Sequence, residues 1–128
     1  METSLELQHA FDRTLFSPLQ VAVPNVGPGD QVILVGSNPL IGAWDPDGGI
    51  LLSCSAALGA GIFSETLSMP MEVNSLEYKY VIKHLGGGRT WEERIQNRRL
   101  ILGDTMKGRE LEVQDGEFDR KQGASRLV

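Results

Sequence analysis

The chain is a succession of short runs in which apolar and polar positions alternate. Residues 76–84 place Leu76, Tyr78, Tyr80 and Ile82 on one face and Glu77, Lys79, Val81 and Lys83 on the other. That is the two-residue period of a half-buried strand. Gly86, Gly87, Gly88 and Arg89 then turn the chain and deliver Trp91 beside a dense polar run. Upstream, LQVAVPNV alternates in the same way, and its Pro24 predicts an edge position. QVILVGS is the most hydrophobic run and too short for a helix, which predicts a central strand. ILLS is a further short strand. IFSETLSM sets Phe63, Leu67 and Met69 on a core side, and RRLILG and GRELEVQDGEF make two final strands around a DTMKG turn. Seven or eight short strands with turn signals every ~8–12 residues predict an all-β sandwich or barrel.

The ends read differently. Thr3 and Glu6 have capping-box spacing, and Leu7, Phe11 and Leu15 recur at intervals of four, which predicts a short helix over residues 3–13 closed by Pro18. The expected organisation is therefore an N-terminal extension over 1–17, a β domain over 18–114 and a polar tail over 115–128. No internal repeat interrupts it.

Composition narrows the class without naming it. A chain of 128 residues with 41% hydrophobic and 23% charged residues is that of one ordinary globular domain, expected to be monomeric. The net charge of −5 argues against binding nucleic acid phosphates. No apolar run approaches the ~20 residues of a membrane span. The lone Cys54 excludes an intrachain disulfide framework, and METSLELQHAFDR has acids where a secretory leader has bases. Both favour an intracellular setting, cytoplasm or plastid.

Catalytic chemistry is missing. The three glycines lack the Lys-Ser/Thr and following helix of a phosphate loop. His9 and His84 have no ligand-spaced partners, and Cys54 has no histidine pattern around it. Glu92 and Glu93 are sequence neighbours, which a strand would point to opposite faces. No cofactor is implied. A binding module is the reading that remains.

Its candidate chemistry lies in Trp44 and Trp91, the two tryptophans, both in or beside loops with acidic neighbours. They are either core anchors or partly exposed platforms, and the polar surroundings suit exposure better. A pyranose ring carries C–H groups on its faces, so it can lie flat on an indole while its rim hydroxyls form hydrogen bonds. Two indoles set at an angle suit a curved glucan, each contact contributing ~0.5–1.5 kcal/mol beyond area burial. A site of that kind binds at roughly −4 to −7 kcal/mol, about 10 μM to 1 mM.

VILVGSNPLIGAWDP, then LEYKY, then TWE followed by NR, in that order, resembles the starch-binding domain of carbohydrate-binding module family twenty over roughly residues 18–114. The resemblance implies an immunoglobulin-like, open-sided antiparallel β-sandwich and an α-1,4-linked glucan (starch, glycogen or maltooligosaccharide) as ligand. It implies Trp44 and Trp91 as stacking platforms, Lys79 and Asn97 as hydrogen-bonding residues, and Ser37 and Glu92 as further contributors. The segment from Trp91 to Asn97 is a residue longer than the commonest family spacing, with Asn97-Arg98 restoring the pattern, and Ile41 replaces the leucine of the L-G-x-W motif. Where many members carry a second aromatic site, this chain has Pro28, Ala56 and Phe63, so one glucan site is expected. The implied role is to hold an attached or partner glucan-active enzyme on its polymer. The competing reading is a protein-interaction sandwich that has lost the sugar.

Overall fold

A computed structural model describes residues 13–54 and 59–120, together with the backbone of residues 124–127. Its strands are β1 (Arg13–Ala22), β2 (Gln31–Gly36), β3 (Ile50–Cys54), β4 (Ile62–Pro70), β5 (Ser75–Lys83), β6 (Arg89–Trp91), β7 (Arg98–Ile101), β8 (Glu110–Glu117) and β9 (Ala124–Leu127). Two single 3-10 turns, Pro39–Ile41 and Pro46–Gly48, lie between β2 and β3.

The strand order is β6-β5-β2-β3-β4-β1-β8-β9, with β7 also pairing β5. β3 joins the two halves of the sandwich. Its Ile50–Leu52 stretch pairs with β2, and Ser53 and Cys54 pair with β4. A strand that changes sheets in this way forms a corner of the sandwich. The core closes between the halves: Phe63, Leu67, Met69, Leu76, Tyr78 and Tyr80, which alternation sets on one face of their strands, are buried there together with Phe16, Val21, Val32, Leu34 and Val113. Fully burying a side chain of this size contributes ~1.5–3 kcal/mol.

The structure corrects the reading of both ends. The proposed helix over 3–13 falls almost wholly outside the described residues, but Arg13–Ser17 already belong to β1, and Leu15 is a strand residue. Phe16 is wholly buried in the core. Pro18 does not close a segment; it stands inside β1, where the pairing with both neighbours shifts register between Phe16 and Leu19. β1 is no edge either. It lies between β4 and β8, and Pro24 follows its end. The β1–β8 ladder is parallel, the exception among the ladders of the described residues. Residues after 114 are not merely a polar tail. β8 runs to Glu117 with Asp115 buried, Phe118 packs against the core, and β9 pairs with β8 through Gln114–Ala124 to Leu111–Leu127. Ala56 lies outside the described residues, with the rest of 55–58 between β3 and β4.

Candidate functional site

β5 organises the site because its two faces do different work. Register with β2, β6 and β7 lines up the residues that share its outer face. Gln31, Lys83 and Arg89 form one row, and Ile33, Val81 and Trp91 the next. Val35 and Lys79 form a third, and Glu77 pairs with Arg99 beyond it. The Ser37 amide continues the ladder by donating to the Glu77 carbonyl at 3.0 Å. Directly opposed residues of an antiparallel pair point to the same side. Trp91, Lys79 and Ser37 are therefore brought to one surface. Ile33, Val35 and Val81 are buried beneath it, which makes an apolar floor outside the main core.

Arg98 is paired with Tyr78, which sets Asn97 at the level of Lys79. The Glu77 carboxylate is held below the usual glutamate range, first by the Arg99 hydrogen bond and charge and then by Asn97. Between Trp91 and Asn97 the chain bends at Arg94 and Ile95, outside either strand. The Arg94 amide donates to Asp119 Oδ1 at 2.8 Å, which holds that bend.

Trp44 lies in the loop between β2 and β3, just before the second 3-10 turn. Asn38 caps the first 3-10 turn by accepting from the Leu40 amide at 2.8 Å, and the Trp44 amide returns to the Gly36 carbonyl at 2.8 Å. Gly42 is required here: its φ is +94°, and a Cβ would lie 2.5 Å from the Asp45 carbonyl oxygen. At Gly36 a Cβ would lie 2.2 Å from the Glu77 carbonyl oxygen, so the start of the loop can approach β5 only without a side chain. Ala43 and Trp44 follow at φ 48° and 68°. A bulky residue in the left-handed region is strained, and strain of this kind collects where geometry serves a purpose. Trp44 and Trp91 are both half-buried, neither sealed in the core nor stripped of support.

Glu92 is the correction. Its side chain has no exposure at all. One carboxylate oxygen accepts from the Tyr80 amide at 2.9 Å, and the other from the Asp119 amide at 2.7 Å and from Arg98 Nη2 at 2.8 Å. Arg98 also donates to the carbonyls of Asp115, Glu117 and Arg120 and lies over the Tyr80 ring, 5.4 Å from its centroid. Asp115 accepts from the hydroxyls of Tyr78 and Tyr80 at 2.7 and 2.6 Å. Burial pushes the Asp115 carboxyl up against the opposing pull of those hydroxyls, and burial raises both tyrosines. Glu92 thus has no oxygen for a sugar. Its backbone carbonyl instead receives Lys79 Nζ at 2.7 Å, beside Trp91.

Arg98 and Asp115 escaped the sequence reading, yet Asp115 continues the inward alternation of Leu111 and Val113, a carboxylate at a core position. His84, which the sequence gives no ligand-spaced partner, ties the hairpin to the turn before β2: Nδ1 lies 3.1 Å from Asp30 Oδ2 and Nε2 lies 2.7 Å from Thr90 Oγ1. Among the described residues no group of His, Cys, Asp and Glu could hold a metal ion, and no helix is long and apolar enough to cross a membrane.

Comparison with protein families matches residues 17–111 to the starch-binding domain family CBM_20, and the chain belongs to that family. Its class is therefore the non-catalytic carbohydrate-binding module, with α-glucan such as starch as the ligand class. No curated protein sequence matches the chain. Among solved structures it is similar to the family 20 module of a maltotetraose-forming amylase from Pseudomonas saccharophila, with 18% identity and a TM-score of 0.56, covering 79% of this chain and 99% of that one. It is also similar to part of a gamma-CGTase from an alkalophilic Bacillus clarkii, at 22% identity and TM-score 0.63, covering 84% of this chain and 15% of that one. A glycoside hydrolase family 15 glucoamylase from Hypocrea jecorina gives 16% identity and TM-score 0.63 over 84% of this chain and 17% of its own. The chain thus spans less than a fifth of either enzyme. At these identities the likeness is one of fold.

Proposed function

We propose that this module binds an α-1,4-linked glucan at one site, with Trp44 and Trp91 as the stacking platforms. The observation that carries the proposal is the shared outer face of β5. Trp91, Lys79 and Ser37 stand on it in register, Asn97 joins at its edge, and the strained Trp44 loop is tied to the same strands. One donor of the Lys79 ammonium is held by the Glu92 carbonyl, so the head group is oriented while its other N–H donors face sugar hydroxyls. Phe63, the residue at a position where other members place a second site, is buried in the core and offers no platform.

Binding of this kind anchors an enzyme, in cis or in trans, on a polymer that presents many equivalent sites. Avidity over such sites compensates for weak single contacts. The test is co-sedimentation with starch granules and glycogen. Trp44→Ala and Trp91→Ala should each abolish capture while leaving the thermal unfolding transition in place. No capture of the intact chain would leave the protein-interaction reading standing, full capture by both variants would put the glucan elsewhere than on the tryptophans, and capture by cellulose alone would exclude a curved glucan.

A further inference from the structure

An uncharged ligand gives a binding site no reason to respond to salt, but this site is assembled through charges. The loop that carries Trp44 must be held against the hairpin that carries Trp91. Among the described residues, the side-chain hydrogen bonds joining residues 38–49 to the β5–β6 hairpin are the two accepted by Asp47 Oδ1. Lys83 Nζ donates from β5 at 3.2 Å, and Arg89 Nη2 donates from β6 at 2.8 Å. Lys83 and Arg89 are paired across the two strands in the row that ends the Trp91 face. Asp47 is itself positioned, because its amide donates to Asp45 Oδ1 at 3.0 Å and so closes the second 3-10 turn. The carboxylate is held below the usual aspartate range, first by the Lys83 hydrogen bond and then by the Arg89 charge.

We propose that Asp47, Lys83 and Arg89 form an ionic latch that fixes Trp44 relative to Trp91, and that the latch makes affinity for a neutral glucan depend on ionic strength. The inference rests on the two-tryptophan reading above. All three side chains are partly exposed, with Asp47 at 57%, so dissolved ions reach and screen them. When the latch is released, the loop samples positions in which the two indoles no longer fit one glucan. The ordering lost in the free protein then has to be recovered on binding.

The test is calorimetric titration with maltoheptaose, which carries no charge, in ~0.01 M and ~1 M sodium chloride, where the screening length falls from about 30 Å to about 3 Å. The intact chain should bind about two- to tenfold more weakly at high salt. Asp47→Asn should bind as weakly at both salt concentrations, with at most a small drop in the thermal midpoint because the residue is exposed. Asp47→Glu, which restores the charge, should recover the salt dependence. An aspartate acting as a direct sugar ligand would behave otherwise, since asparagine keeps an acceptor oxygen and neither form would respond to salt. Salt-independent binding by the intact chain, or unweakened binding by Asp47→Asn, would overturn the latch. If that salt-independent binding is still lost in Trp44→Ala, the two-tryptophan site stands and only the latch falls. No binding of maltoheptaose under either condition would remove both.

Discussion

Trp91 and Glu92 are neighbours in the chain, and the strand sends one to each side. Trp91 shares the outer row with Val81, while the Glu92 carboxylate enters the interior to meet Arg98. The same division recurs at Asn97, exposed, and Arg98, buried. The W-E and N-R motifs thus each combine an outward-facing residue with a buried ion partner. Motif resemblance alone put Glu92 among the sugar contacts, because a one-dimensional pattern does not say which residues of a pair face inward. Breaking a buried ion pair leaves a charge without compensation, at a cost of about 3–5 kcal/mol. Glu92→Ala should therefore lower the stability measured by denaturant unfolding by about that amount or prevent folding outright. A folded variant of full stability whose only defect is glucan affinity would return Glu92 to the site.

At the scale of elements, the β5–β6 hairpin was legible and the N-terminal strand was not. Regular alternation and three glycines announce the hairpin, and the turn closes as expected, with the His84 amide donating to the Gly88 carbonyl at 2.8 Å. In β1 the inward residues Thr14 and Phe16 change phase at the register break before Leu19 and Val21. The two-residue period is interrupted there, which hides the strand from a pattern reading. What the hairpin pattern could not show is its tether. Asp30 accepts from the amides of Leu85 and Gly27 as well as facing His84, and those bonds lower its carboxyl below the usual range. Asp30→Ala should accelerate hydrogen exchange at the Leu85 and Gly27 amides and leave the core of β2 protected. Unchanged exchange at both amides would mean that the turn holds itself.

Across the whole molecule the charges set how stability responds to acid. Asp30, Asp47 and Glu77 have folded-state affinities for protons below the unfolded reference values of 3.8, 3.8 and 4.5. Their contributions are complete above those reference values and are lost as pH falls through the lower folded ones. Asp115 works in the opposite sense. Burial raises it, so its contribution diminishes as pH rises from 3.8 through the folded value. The three lowered groups sit in exposed or partly exposed ion pairs and hydrogen bonds, so their share should shrink in concentrated salt. Urea unfolding should show stability declining from about pH 5 to about pH 2, less steeply in ~1 M salt. A steady rise in stability over that descent would mean that Asp115 dominates.

The architecture was readable because a sandwich repeats one simple rule, polar outside and apolar inside, along every strand. The proposed site was readable only in part, because the loop between β2 and β3 is shaped by glycine geometry at Gly36 and Gly42 and tied to the β5–β6 hairpin through Asp47, and periodicity shows neither. Two tryptophans give two indole N–H resonances, and these report on the proposed site directly. Titration of isotope-labelled protein with maltoheptaose should shift both indole signals together and saturate at one ligand per chain, with the buried Glu92–Arg98 region unmoved. Indole signals that stay in place while the glucan binds elsewhere, or saturation at two ligands per chain, would contradict the account.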